Sequence, residues 1–178
     1  MLNINVIYAF IWLFAMWKWG DIKNWQKYYP TFLFFVIGDF LYLYLLSDIY
    51  PMWRYAPQDM NENTRITNSH ISLLVMAIKY PATILMYLPN FPKEKIFKQI
   101  FFILLWSFIY AINEFIDLRL NIINHSNGWN FYWSFLFNIV MFSILRIHHC
   151  KPLYAWMFSI VFIVFLWNIF DIPSRVFR

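Results

Sequence analysis

Cysteine, glycine and charge are all scarce in this chain. One cysteine, Cys150, excludes an internal disulfide and any zinc site built from several thiolates. Three glycines leave no room for a glycine-rich phosphate loop and make close small-residue helix packing rare. Charged residues are 13% of the 178 residues, about half the usual share of a soluble domain. Together these shortages exclude a disordered chain, a nucleic-acid-binding module and an ordinary soluble enzyme. Catalytic signatures are missing as well. The chain has no Gly-x-Ser-x-Gly elbow, no helical His-Glu-x-x-His, no Cys-x-x-Cys and no paired catalytic aspartates on facing spans. Arginine-rich voltage-sensor spacing is also absent.

Apolar residues fill the space instead. They make up 62% of the chain, and aromatics alone make up 24%. The mean hydropathy of +0.52 understates this, because Trp and Tyr score poorly on that scale yet suit membrane interfaces. A spanning helix needs roughly 20 mostly apolar residues. Six segments qualify, at about 3–19, 30–47, 70–88, 96–117, 129–147 and 152–170. The expected fold class is therefore all-α, a polytopic membrane helical bundle of about six transmembrane helices forming one integral membrane domain over 1–178. Proline marks several ends, with Pro30 and Pro152 at helix starts and Pro51 and Pro89 just past helix stops. The stretch 21–29 reads as a surface connector.

Charge sets the orientation. The first loop carries Lys18, Lys23 and Lys27 against Asp21, the third Lys93, Lys95 and Lys98 against Glu94, and the fifth Arg146 and Lys151. The second balances Arg54 and Arg65 against Asp48, Asp59 and Glu62, and the fourth has Arg119 near Asp117. Basic excess thus falls on one side, and the positive-inside rule makes that side cytoplasmic, with both termini outside. Arg175 and Arg178 count mildly against this. Residues 1–20 lack the basic start and small-residue cleavage site of a signal peptide, so the first span is expected to be retained. Aromatic belts agree, with Trp17, Trp19, Trp25, Tyr28 and Tyr29 at the inner interface and Tyr50, Trp53, Trp129 and Trp167 at the outer one.

Ionisable groups inside spans need a partner or a purpose. Asp39 and Lys79 lie at similar mid-membrane depth on consecutive, oppositely running spans, so an ion pair between them is expected to be within reach. A structural pair that fixes register is favoured over a proton relay or transport site. Pro81, two residues after Lys79, frees the Ala77 carbonyl and kinks its span. A second group, Asn113, Glu114 and Asp117 with Asn130, Ser134, Asn168 and Asp171, shares a depth near the outer face. It forms either a polar binding pocket centred on Glu114 or a simply solvated interface. Asn138, near mid-span, is expected to bond across helices. His148, His149 and Cys150 form a third group. Adjacent helical residues point about 100° apart, so the two histidines are weak metal candidates, and a cationic helix end is favoured. The similarity between 27–31 and 79–83 is taken as chance, because the two lie at different depths.

Several of these residues also carry a resemblance. Lys27-Tyr28-Tyr29-Pro30-Thr31, Gly38-Asp39 and Tyr80-Pro81-Ala82-Thr83 belong to it, as does the run from Asn127-Gly128-Trp129-Asn130 through Trp133-Ser134 to His148-His149. Over most of its length the chain resembles an uncharacterised family of small multi-pass membrane proteins of spore-forming Firmicutes, bacilli and clostridia. The resemblance implies a bacterial cytoplasmic membrane and an association with sporulation. It implies no activity, cofactor or catalytic residue.

Three functions compete. The first is a non-enzymatic component that binds a partner protein or lipid, or helps assemble a complex. The second is a small oligomeric transporter or channel using Asp39 and Lys79. The third is an intramembrane lipid-modifying enzyme with Glu114 or His148 as acid–base. The order given is the order of preference. No cofactor is expected. The expected partners are the lipid bilayer and either further copies of the chain or a membrane partner protein, with nucleic acid excluded.

Overall fold

The structure, a computed structural model, describes residues 2–55 and 68–177, with side chains from residue 7 onward. Asp59, Glu62, Arg65 and Arg178 lie outside the described residues. Six helices run in order: α1 (Leu2–Trp19), α2 (Trp25–Leu45), α3 (Asn68–Tyr87), α4 (Ile96–Arg119), α5 (Phe131–Cys150) and α6 (Pro152–Ile169). Five of them are long and apolar enough to cross a bilayer, counting the short turn that leads into α2; in α1 the described apolar part, Ile7–Trp19, is shorter. Large apolar side chains face outward along the bundle, among them Phe10 at 68% exposure and Phe97 at 76%. An exterior of this kind suits hydrocarbon and not water. The chain is a multi-pass membrane helical bundle.

Local chemistry explains the helix ends. Gly20 follows α1 because a Cβ there would meet the Met16 carbonyl oxygen at 2.4 Å. Asn130 caps α5, its side chain accepting from the Tyr132 and Trp133 amides. Pro152 opens α6, where a missing N–H removes no intrahelical bond. One boundary differs from expectation. The stretch 21–29 is not a separate connector: a 3₁₀ turn at Ile22–Asn24 runs into α2, which starts at Trp25 and contains Pro30. A proline so near a helix start forgoes one hydrogen bond without breaking the helix.

Hydrophobic exclusion from water does not drive helices together in lipid, so packing and interhelical hydrogen bonds must. Tyr87 shows both. It is fully buried among Phe91, Phe102, Trp106 and Phe142. Its hydroxyl donates to the Phe142 carbonyl at 2.9 Å, joining α3 to α5. Thr83 and Tyr110 hydrogen-bond at 2.7 Å between α3 and α4. The basic end is closed by the Asp21 amide on the Leu85 carbonyl and the Asn90 side chain on the Trp19 carbonyl.

The opposite end holds a feature with no counterpart in the expected fold. Strand β1 (Trp53–Tyr55) pairs antiparallel with strand β2 (Ile123–His125), with Trp53 opposite His125. The ladder ties the α2–α3 connection to the α4–α5 connection. The Ser126 amide extends it onto the Met52 carbonyl, and Gly128, at φ +81°, turns the chain toward α5. Met52, Trp129, Leu166, Phe170, Ile172 and Val176 form a second core beneath it.

Candidate functional site

A cavity of about 320 Å³ lies within the bundle, walled by α2 to α6 and roofed by the strand ladder. Most of its wall is apolar and aromatic. Its polar groups are Asp39 and Tyr42 from α2, Tyr55 from β1, Lys79 and Tyr80 from α3, Tyr110, Glu114 and Asp117 from α4, Ser134 and Asn138 from α5, and Ser159 from α6. The ionisable groups come from α2, α3, α4 and β1, and α6 contributes none.

The α6 side is open. Helices α2 and α6 each pack on α5 but scarcely on one another. Phe34 and Trp156 meet edge-on at 4.8 Å toward the basic end. The Tyr50 hydroxyl donates to the Phe170 carbonyl at 2.8 Å near the other end. Between these closures Ile37, Leu41 and Ile163 line the cavity and are also exposed on the outer surface. The mouth therefore faces sideways, at the depth of the apolar exterior. Gly38 sits beside it on α2, and a Cβ built there would find nothing within 4 Å. Helix packing does not require this glycine, which weakens a helix interior by about 1 kcal/mol relative to Ala.

Asp39 and Lys79 both line the cavity, but they are not an ion pair: among the described residues the ion pair within 4 Å is His125–Glu114. Lys79 places its ammonium over the Tyr110 ring at 4.1 Å and the Trp12 ring at 5.5 Å, in the field of Asp117 and Glu114. Asp39 has Tyr80 as its neighbour, and the Tyr80 ring stacks on Phe35 at 3.8 Å. The helical rise gave the two residues a common depth, but their directions around their helices assign each a different partner. Pro81 lies inside α3 beside this site.

The polar group near the ladder divides. Glu114 and Ser134 line the cavity, and Glu114 is held by the His125 Nε2 at 2.8 Å. Ser134 accepts from the Trp129 indole at 2.8 Å. Asp117 lines the cavity too, whereas Asn113, Asn130, Asn168 and Asp171 do not. Asn113 donates to the Ile109 carbonyl, Asn168 to the Val164 carbonyl, and Asn130 is the α5 cap. Asn and Ser side chains often satisfy themselves on nearby backbone in this way. Asn138 differs: it is 6% exposed, and its Nδ2 has no hydrogen-bond partner.

The two adjacent histidines diverge. His148 Nδ1 meets Thr31 Oγ1 at 3.0 Å, and its ring stacks on Phe34 at 4.2 Å. His149 stacks on Tyr28. Among the described residues no three His, Cys, Asp or Glu side chains are grouped to hold a metal ion. His125 carried no sequence signal, because only strand pairing brings it to Glu114. The chain matches no family model, no curated protein and no solved structure.

Proposed function

We propose that this chain is a non-enzymatic membrane protein that holds a single lipid-like amphiphile in the cavity between α2 and α6. The observation that carries this reading is the sideways mouth between Ile37 and Leu41 on one side and Ile163 on the other. A ligand entering there comes from the acyl-chain region, so it must dissolve in the bilayer. The far wall then offers polar groups to its head while the aromatic wall and the mouth accommodate its chain. The same reading puts the lysine-rich end in the cytoplasm, both termini outside, and the protein in a bacterial cytoplasmic membrane. We also propose membership of the family of small multi-pass proteins of spore-forming Firmicutes; of the motifs quoted for that resemblance, Gly38, Asp39, Tyr80 and Ser134 lie on the cavity wall.

The test is native mass spectrometry of the full chain released from nanodiscs, beside a Gly38→Phe variant. A Cβ at Gly38 meets nothing within 4 Å, so the backbone accepts a side chain there and the phenyl group adds bulk beside the mouth. The expected result is one amphiphile per chain in the parent and none in the variant. Equal occupancy in the two proteins, or no retained amphiphile in the parent, overturns the reading.

A further inference from the structure

Among the described residues, the polar wall keeps unmet hydrogen-bonding capacity once its internal partners are assigned, and two of its groups define a head. Glu114 is engaged by His125, and Lys79 lies in the field of Asp117 and Glu114. Asn138 remains with a buried Nδ2 that has no acceptor. Native interiors rarely leave such a donor unpaired. Among the described residues no cation lies within ion-pair distance of Asp39, whose carboxyl group can accept more than the one bond its neighbour Tyr80 offers.

We infer that the cavity takes an amphiphile with an uncharged hydroxyl head, which donates to Asp39 and accepts from Asn138 Nδ2. A hydroxyl group gives and takes at once, so a single head can meet both demands. An ammonium head offers donors alone and leaves the Asn138 amide unmatched. A phosphate head adds negative charge to a wall that already has three carboxyl groups against Lys79. The ligand class is thus a long-chain alcohol or a glycerol lipid with free hydroxyls. This inference rests on the amphiphile reading above and deepens it.

Full-length protein in phosphatidylcholine nanodiscs would be offered dodecanol, monolauroylglycerol, dodecylamine and dodecyl phosphate, with bound mass and thermal midpoint as readouts. The expected result is binding of dodecanol or monolauroylglycerol, or both, with no shift from the amine or the phosphate. Whichever of the two binds more tightly identifies the source of the hydroxyl. Asn138→Leu removes the unmatched donor, so the ligand-free midpoint should hold or rise while hydroxyl-probe affinity falls about tenfold, the effect of one hydrogen bond. A lower ligand-free midpoint with unchanged hydroxyl-probe binding would make Asn138 purely structural and overturn the inference. Asn138→Asp exchanges the donor for an acceptor and should move preference toward dodecylamine; an unchanged preference counts against the head assignment. Tighter binding of phosphate or amine by the parent, blocked by Gly38→Phe, refutes the hydroxyl head but leaves the amphiphile cavity standing. No probe binding to the parent, with Gly38→Phe indistinguishable from it, refutes both.

Discussion

Thr31 Oγ1 meets His148 Nδ1 at 3.0 Å, joining α2 to α5 across 117 residues of chain. Both side chains are buried, at 2% and 6% exposure. Thr31→Val keeps the shape and leaves the imidazole nitrogen without its partner. The expected loss is about 1–3 kcal/mol. Thr31→Val with His148→Phe removes both polar groups and keeps a ring against Phe34, so it should recover part of that loss. Reversible unfolding in micelles, run on both singles and the double, measures the coupling.

Tyr42 organises the turn into β1. Its hydroxyl accepts from the Met52 and Trp53 amides and donates to the Trp53 carbonyl, while its ring lies flat on the Trp53 indole at 3.8 Å. Tyr42→Phe preserves the stacking and removes all three hydrogen bonds. Amide exchange should then accelerate at Met52 and Trp53 more than in the helices. Uniform acceleration along the chain would mean global destabilisation in place of a local knot.

Asp21 predicts a pH response at the basic end. The Asn24 side chain donates to its two carboxylate oxygens at 2.9 and 3.1 Å, and the Tyr28 hydroxyl donates at 3.0 Å. These bonds, the one from Asn24 first, hold its pKa below the ordinary 3.8. A carboxyl group whose pKa is lower when folded stabilises the fold above its unfolded value, near 4, and loses that effect as pH falls through the folded value. Thermal midpoints of the parent and Asp21→Asn, measured from pH 7 to pH 3, should differ at the upper end and converge at the lower. A difference unchanged between pH 7 and pH 3 would rule out the charge as its cause.

The sequence showed helices more readily than neighbours. Apolar length and proline placement marked five helices to within a few residues, because a span must match the bilayer whatever surrounds it. The start of α2 was hidden, because Pro30 reads as a helix start but is tolerated one turn further in. The strands were hidden as well, since three residues such as Trp53–Tyr55 carry no measurable period. For the site, residue spacing gave depth and nothing more. Asp39, Lys79, Glu114 and Ser134 all reach the cavity, but Asn113, Asn130 and Asn168 turn to their own helices. Direction around a helix is set by packing, which no local pattern records.

Strand β1 leaves the ribosome well before its partner. Until α4 has entered the membrane and Ile123 follows, the backbone of Trp53, Arg54 and Tyr55 has no ladder to join. Tyr42 is only 11 residues from Trp53 and can hold that stretch in the interval. The roof over the cavity therefore cannot close until α4 is made, although α5 and α6, which complete the walls, emerge later still. A nascent chain halted before β2 presents a bare strand edge at the membrane surface, an invitation to mispairing or to quality-control proteolysis.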